Sequence, residues 1–218
     1  MIARYRKGMV LLGLVALLLV IPAHSRAAEF DMQTDVAVVG AGGAGLCAAL
    51  TAAQGGAKVV LLEKNPFPGG TTNVAEGLFG AETEMQREHL LTTTKDEVFR
   101  IEMFESNHWQ GNAPLLRAFI NESDKTFSWL RAQGVIFEYP GTTAPEARGL
   151  RTWHLIKGHG EGLVKVLFGK VKENPNVTVL MQTPAQKLVT DGQNRVIGVE
   201  AKDKTGKLIR IRSKAVVI

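Results

Sequence analysis

The sequence predicts an α/β fold built on a parallel sheet, and three observations carry that expectation. An apolar strand, Asp35-Val36-Ala37-Val38-Val39, runs without a break into the turn Gly40-Ala41-Gly42-Gly43-Ala44-Gly45 and then into a stretch of helical spacing. A second strand, Val59-Val60-Leu61-Leu62, follows and finishes in Glu63. After a helix-rich middle, short strands recur at residues 177–181, 185–190, 196–201, 208–211 and 215–218, the pattern of a β-meander.

Composition sets the outer limits. The 218 residues, 45% hydrophobic and 22% charged, suffice for a sizeable core in one domain carrying an insertion. A net charge of +5 invites a nucleic-acid partner until the charges are located. Arg4, Arg6, Lys7 and Arg26 all lie in the first 28 residues; without them 22 basic residues face 21 acidic ones, and no basic stripe tracks phosphates. No nucleic-acid partner is therefore expected. Residues 1–28 read as an export signal: a cationic start, an apolar run over 9–21, then Ser25-Arg26-Ala27-Ala28, with cleavage expected after Ala27. The competing reading is a retained membrane anchor, but the run is shorter than the roughly 20 apolar residues of a spanning helix. Tyr5 separates Arg4 from Arg6, which speaks against a twin-arginine signal and for export of an unfolded chain. The mature protein is expected to be periplasmic or secreted, meeting a membrane only through an uncleaved signal. Cys47 is the only cysteine, so an internal disulfide, a Cys-x-x-Cys pair and a haem attachment site are excluded. Within Leu46-Cys47-Ala48-Ala49-Leu50 it reads as a small core residue. No metal site is expected.

The strand–turn–helix–strand segment is Rossmann-like, with Gly-x-Gly-x-x-Gly between strand and helix. Gly40 permits the tight turn, Gly42 lets the backbone approach a pyrophosphate, and Gly45 lets the helix pack close to the strand. Gly43 and Ala44 belong to the same small-residue helix start, whose free amides face anionic phosphates. Leu46, Ala49, Leu50 and Ala53 repeat at helical spacing before Gly55-Gly56 ends the helix. Glu63 stands 18 residues beyond Gly45, where a carboxylate accepts hydrogen bonds from ribose hydroxyls and repels a 2′-phosphate, which disfavours NADP. A glycine triplet alone is a weak signal; the ordered strand, helix, second strand and terminal acid make it a dinucleotide site.

From Lys64 the chain reads Asn65-Pro66-Phe67-Pro68-Gly69-Gly70-Thr71-Thr72-Asn73-Val74-Ala75-Glu76-Gly77. Here it resembles the flavoprotein subunits of succinate dehydrogenase and fumarate reductase, a family that includes L-aspartate oxidase and soluble fumarate reductases. The resemblance implies a Rossmann-like FAD-binding domain of the glutathione-reductase-type three-layer fold over residues 34–218. Lys64 then follows the ribose end, while Gly69, Gly70, Thr71, Thr72 and Asn73 pass along the pyrophosphate toward a flavin flanked by Ala75 and Gly77. FAD is longer than its ADP half and needs this second stretch of small side chains; an NAD-dependent dehydrogenase would have no use for it. Aligning Ala75-Glu76-Gly77 with the family's Ala-Gln-Gly places Thr71 where membrane-bound members carry a flavin-attached histidine. The implied FAD is therefore non-covalent. Soluble fumarate reductases continue Gly-Gly-Met-Asn-Ala, whereas this chain reads Gly77-Leu78-Phe79-Gly80-Ala81, a departure that changes the flavin's surroundings and argues against fumarate itself. The lone Cys47 excludes the disulfide-reductase branch of flavoproteins.

In the middle of the chain, Thr94-Lys95-Asp96-Glu97 reads as a capping box opening a helix. Asn112-Ala113-Pro114 opens another, which reaches Trp129-Leu130 and closes near Gly134, with Phe119, Phe127 and Trp129 expected in the core. Gly134-Val135-Ile136-Phe137 reads as a strand and residues 140–149 as a loop. His154 and His159 have the chemistry of proton carriers. Without a visible partner carboxylate they read as structural, hydrogen-bonded histidines, His154 being the better candidate for chemistry. Leu163, Val164, Val166, Leu167 and Val171 make the next helix amphipathic, and Asn174-Pro175 ends it. The resemblance places Ala185 where family members meet the adenine through the backbone.

The resemblance implies an exported FAD-dependent oxidoreductase passing hydride between flavin and a small organic acid or related unsaturated substrate. Its electrons would come from a separate cytochrome or quinone-linked donor. The family's substrate-capping domain, with its His-x-Thr-Gly, Thr-Glu and arginine elements, has no counterpart in this sequence, so no catalytic residue is assigned. The competing expectation is a truncated or split flavin-binding subunit without catalysis of its own.

Overall fold

A computed structural model of the chain describes residues 29–141 and 150–218; the expected export signal over 1–28 and most of the 140–149 loop lie outside the described residues. Strands β1 (Met32–Gln33) and β2 (Val36–Val39) lead through the glycine turn into helix α1 (Gly43–Gln54) and then β3 (Val59–Leu62). A 3-10 turn over Gly70–Val74 precedes β4 (Gly77–Phe79). A helical insertion follows: α2 (Glu84–Glu88), α3 (Lys95–Ile101) with one π-helical turn after it, and α4 (Ala113–Ala132). Strands β5 (Phe137–Gly141) and β6 (Trp153–Ile156) lead to α5 (His159–Glu173) and β7 (Val177–Leu180). The meander β8 (Ala185–Thr190), β9 (Val196–Lys202), β10 (Leu208–Arg212) and the last strand β11 (Ala215–Val217) complete the chain.

The central sheet runs β11-β2-β3-β7, all parallel. All four residues of β3 are buried, as a continuous Val-Val-Leu-Leu run demands when both faces of a parallel sheet are covered. Side chains alternate between the two coverings. Val38, Val59 and Leu61 face α1 and α5, meeting Leu46, Leu50, Leu163 and Leu167. Ala37, Val60 and Leu62 face the antiparallel sheet β1-β10-β9-β8, meeting Val199, Ala201 and Ile211. Helices, parallel sheet and meander are thus the three layers expected from the sequence. A third sheet, β4-β6-β5, joins the glycine-turn half to α5, and a smaller core of Ala81, Val98, Ile101, Ile120 and Leu150 holds the helical insertion.

Several local expectations change. Thr94 caps α3 by accepting the Glu97 amide at 3.1 Å, but no reciprocal bond from the Glu97 side chain closes the box. The full capping box belongs to Thr83 and Gln86, whose Thr-x-x-Gln signature starts α2. Phe127 is fully buried and Trp129 packs against the core, whereas Phe119 is 56% exposed and stacks on Phe79 at 5.0 Å. Gly134, at φ +96°, closes α4 instead of opening a strand, because the Val135 amide returns to the Leu130 carbonyl. The strand therefore begins at Phe137.

Candidate functional site

The site begins at the turn between β2 and α1. Gly40 adopts φ +100°, and its amide reaches the Leu62 carbonyl at 2.7 Å, so the turn is tied to the end of β3. A Cβ on Gly45 would overlap the Gly40 carbonyl oxygen, which is the close helix–strand approach the motif requires. Gly42 caps α1 in an extended conformation with no side-chain hydrogen bond. The amides of the first helical turn, Gly43 to Gly45, have no carbonyl four residues back within the helix. That turn carries the positive end of the helix dipole without any acidic side chain against it.

The stretch 69–73 runs beside the glycine turn. Gly69, at φ +110°, forms a parallel bridge with Gly42 and donates its amide to the Ala41 carbonyl at 2.7 Å. Asn73 Nδ2 donates to the Pro68 carbonyl at 3.0 Å and fixes the start of the 3-10 turn. Thr72 Oγ1 accepts the Gly43 amide at 3.0 Å. Two segments of small side chains therefore run side by side, joined by backbone and by one hydroxyl. This Thr72–Gly43 pairing has no local sequence signal, because 29 residues separate the partners.

Glu63 is buried at the end of β3. Its Oε2 accepts the Ala41 amide and its Oε1 the Asn65 amide, both at 2.8 Å. The carboxylate thus ties the glycine turn to the chain leaving β3. Ionised, it offers about four lone-pair sites, so capacity remains for ribose hydroxyls. Two clefts follow from this arrangement. One, about 270 Å³, is lined by Glu63, Lys64 and Ala185 together with Thr183 and Pro184, which sequence reasoning missed. The other, about 350 Å³, is lined by Gly42 to Gly45, Thr71, Thr72 and the final residues Val217 and Ile218. Val39 and Gly40 line both, so the two clefts adjoin at the glycine turn, at the ends of the parallel strands. Their dimensions and amide-rich, bulk-free floor fit a dinucleotide's nucleoside at one end and its pyrophosphate at the other.

Not every expected residue lines this stretch, and Gly69, Gly70 and Asn73 line neither cleft. Ala75 and Gly77 lie beyond it: the Ala75 carbonyl accepts the Gly160 amide at 2.6 Å, and Gly77 pairs with Leu155 across β4 and β6. A larger concavity of about 690 Å³, between Gly134 to Ile136 and the start of α5, contains none of the motif residues. His154 is fully buried, with Nε2 2.7 Å from Thr83 Oγ1 and Nδ1 3.2 Å from the Thr152 carbonyl. Burial pushes its pKa below the ordinary value, against the opposing pull of backbone hydrogen bonds, so it is a neutral structural ring. Burial also pushes the Cys47 thiol up to about 11, which keeps it protonated and unreactive.

Residues 35–218 match the family model described as "FAD binding domain". A vinyl phenol reductase of Lactiplantibacillus plantarum is 33% identical over 184 residues, covering 84% of this chain and 36% of that protein. An NADH:fumarate oxidoreductase of Klebsiella pneumoniae is 32% identical over 187 residues, covering 84% of this chain and 20% of that protein. The open conformation of a flavocytochrome c3 fumarate reductase superposes with a TM-score of 0.74 at 26% identity, covering 88% of this chain and 34% of that one. The chain thus spans between 20% and 36% of the length of these proteins.

Proposed function

The chain belongs to the FAD-binding-domain family of fumarate reductase and succinate dehydrogenase flavoproteins, and on that premise we propose that it is the FAD-binding portion of an exported oxidoreductase. The observation that carries the reading is the pair of clefts that adjoin at Gly40, one lined by Glu63, Lys64 and Ala185 and the other by Thr71 and Thr72. There Glu63 would accept the adenosine ribose hydroxyls, and the amides at the start of α1 that Thr72 leaves open would hold the pyrophosphate. Gly70 leaves open space beside it, the Asn73 side chain fills the space beside Gly69, and Ala75 and Gly77 would border the flavin. Thr71, at the position of a flavin-attached histidine in some members, offers no covalent link, so FAD is held non-covalently. Bound FAD supplies hydride transfer between its N5 and a substrate carbon. The residues of this chain bind and orient it.

The substrate class that fits is a small molecule with a reducible carbon–carbon double bond. The vinyl phenol and fumarate named for the two relatives are of that kind, and the Gly77-Leu78-Phe79-Gly80-Ala81 departure favours a substrate other than fumarate. Electrons come from a separate cytochrome or quinone-linked donor. The export signal in residues 1–28 supports action in the periplasm or outside the cell. The test is anaerobic: the FAD-loaded chain is photoreduced, then mixed with fumarate or 4-vinylphenol, and the flavin's visible band is followed. Its return with 4-vinylphenol supports catalysis by this chain. Retained flavin that neither compound reoxidises supports the second reading, a flavin-binding portion whose catalytic groups lie on other polypeptide.

A further inference from the structure

The turn over Gly70–Val74 is held between the N-termini of two helices, and only one of them belongs to the nucleotide-binding motif. On one side Thr72 Oγ1 takes the Gly43 amide at the start of α1. On the other, the Gly160 amide in the first turn of α5 donates to the Ala75 carbonyl at 2.6 Å. Helix α5 has no side-chain N-cap; Gly158 enters it in the left-handed conformation, and His159 follows with φ +56°. The Ala75 carbonyl thus satisfies one of the orphan amides of that helix. Contact there is so close that a Cβ on Gly160 would overlap the Thr72 carbonyl oxygen and lie 2.9 Å from that of Ala75.

We infer that Gly160 is a positioning residue for the cofactor: the start of α5 clamps Thr72 and Ala75 from behind, and this clamp sets where the Thr72 hydroxyl meets the Gly43 amide. The Gly158-His159-Gly160 turn, with no role in the dinucleotide motif, then acts on the pyrophosphate end of the cleft without touching it. The inference rests on the FAD reading for its affinity readout, while the clamp itself is tested without cofactor.

Three glycines of the same helix make the test. Gly160→Ala strikes the clamp; Gly162→Ala also forces a backbone overlap, a less severe one, but with the Lys157 carbonyl and away from the turn; Gly169→Ala points into open space. Hydrogen exchange of the chain without cofactor reads the Thr72 and Ala75 amides, which donate to Gly69 and Thr72 carbonyls. FAD titration by flavin fluorescence reads affinity, and thermal unfolding reads stability. G160A is expected to speed exchange at Thr72 and Ala75 and to weaken FAD binding by about tenfold, the factor one lost hydrogen bond is worth. G162A is expected to lower stability with those amides and the FAD affinity unchanged, and G169A to raise helix stability, as Gly-to-Ala does at an open helical site. If G160A and G162A change exchange and affinity alike, Gly160 is merely structural and the inference fails. Should the parent chain bind no FAD, the FAD reading fails, and exchange at Thr72 and Ala75 still decides the clamp.

Discussion

At Gly45 one methyl group separates a working site from an obstructed one. Gly45→Ala is expected to destabilise the fold by about 1–3 kcal/mol, because the added carbon meets a backbone carbonyl that no rotamer can move. Urea denaturation checks this, and an unchanged midpoint would show that α1 can shift freely. This residue was legible in the sequence because its constraint is local: strand, turn and helix adjoin. The position of Glu63 was legible on the same ground, though its hold on the Ala41 and Asn65 amides was not. His154 was legible only as a structural histidine, since its partner Thr83 lies 71 residues away. Its buried ring has a pKa below the ordinary value of 6.5. The unfolded chain therefore takes up a proton near that value while the folded ring does not. The stabilisation is complete above it and is lost as pH falls below it, until the folded ring itself protonates. His154→Gln keeps a polar end and cannot titrate, so unfolding free energies measured between about pH 5 and 7 should fall less steeply for the variant. Parallel curves for variant and parent would remove His154 as the cause.

Among elements, the glycine-turn half was read almost residue for residue, and the helical insertion less well. Leu46, Ala49, Leu50 and Ala53 are the buried face of α1, as their spacing predicts. Helix α2 was missed although its signature is present, because five residues give too short a run for periodicity to register. Its start is a junction: Thr83 Oγ1 accepts the Gln86 amide and meets His154 Nε2, while Gln86 Nε2 donates to the carbonyls of Gly80 and Arg151. Thr83→Ala is expected to cost about 1–2 kcal/mol, and Thr94→Ala, whose cap is single and exposed, about 0.5–1 kcal/mol. Chemical denaturation of both variants checks the order; a larger loss at Thr94 would mean that the α2 junction is not the structural anchor described. Phe119 misled because an aromatic at helical spacing usually marks a core face. Here the Phe119 ring stacks on Phe79 and stays largely open to solvent.

At the scale of the whole molecule, the parallel sheet holds the two adjoining clefts in register. Glu63 and Ala185 come from the ends of different layers, and Val217 and Ile218 of the last strand reach the same glycine turn as Thr72. No periodicity reveals that convergence; it follows from strand order, in which β11 inserts beside β2 after an excursion through the meander. Among the described residues no helix is long and apolar enough to cross a membrane. The most direct measurement is an absorption spectrum of the chain after refolding with excess FAD and desalting, taken beside a circular-dichroism spectrum that establishes folding. The expected result is one retained flavin per chain, released by acid and not displaced by NADP. A folded chain that retains no flavin, or one that retains NADP instead, would contradict the assignment of the cleft to FAD.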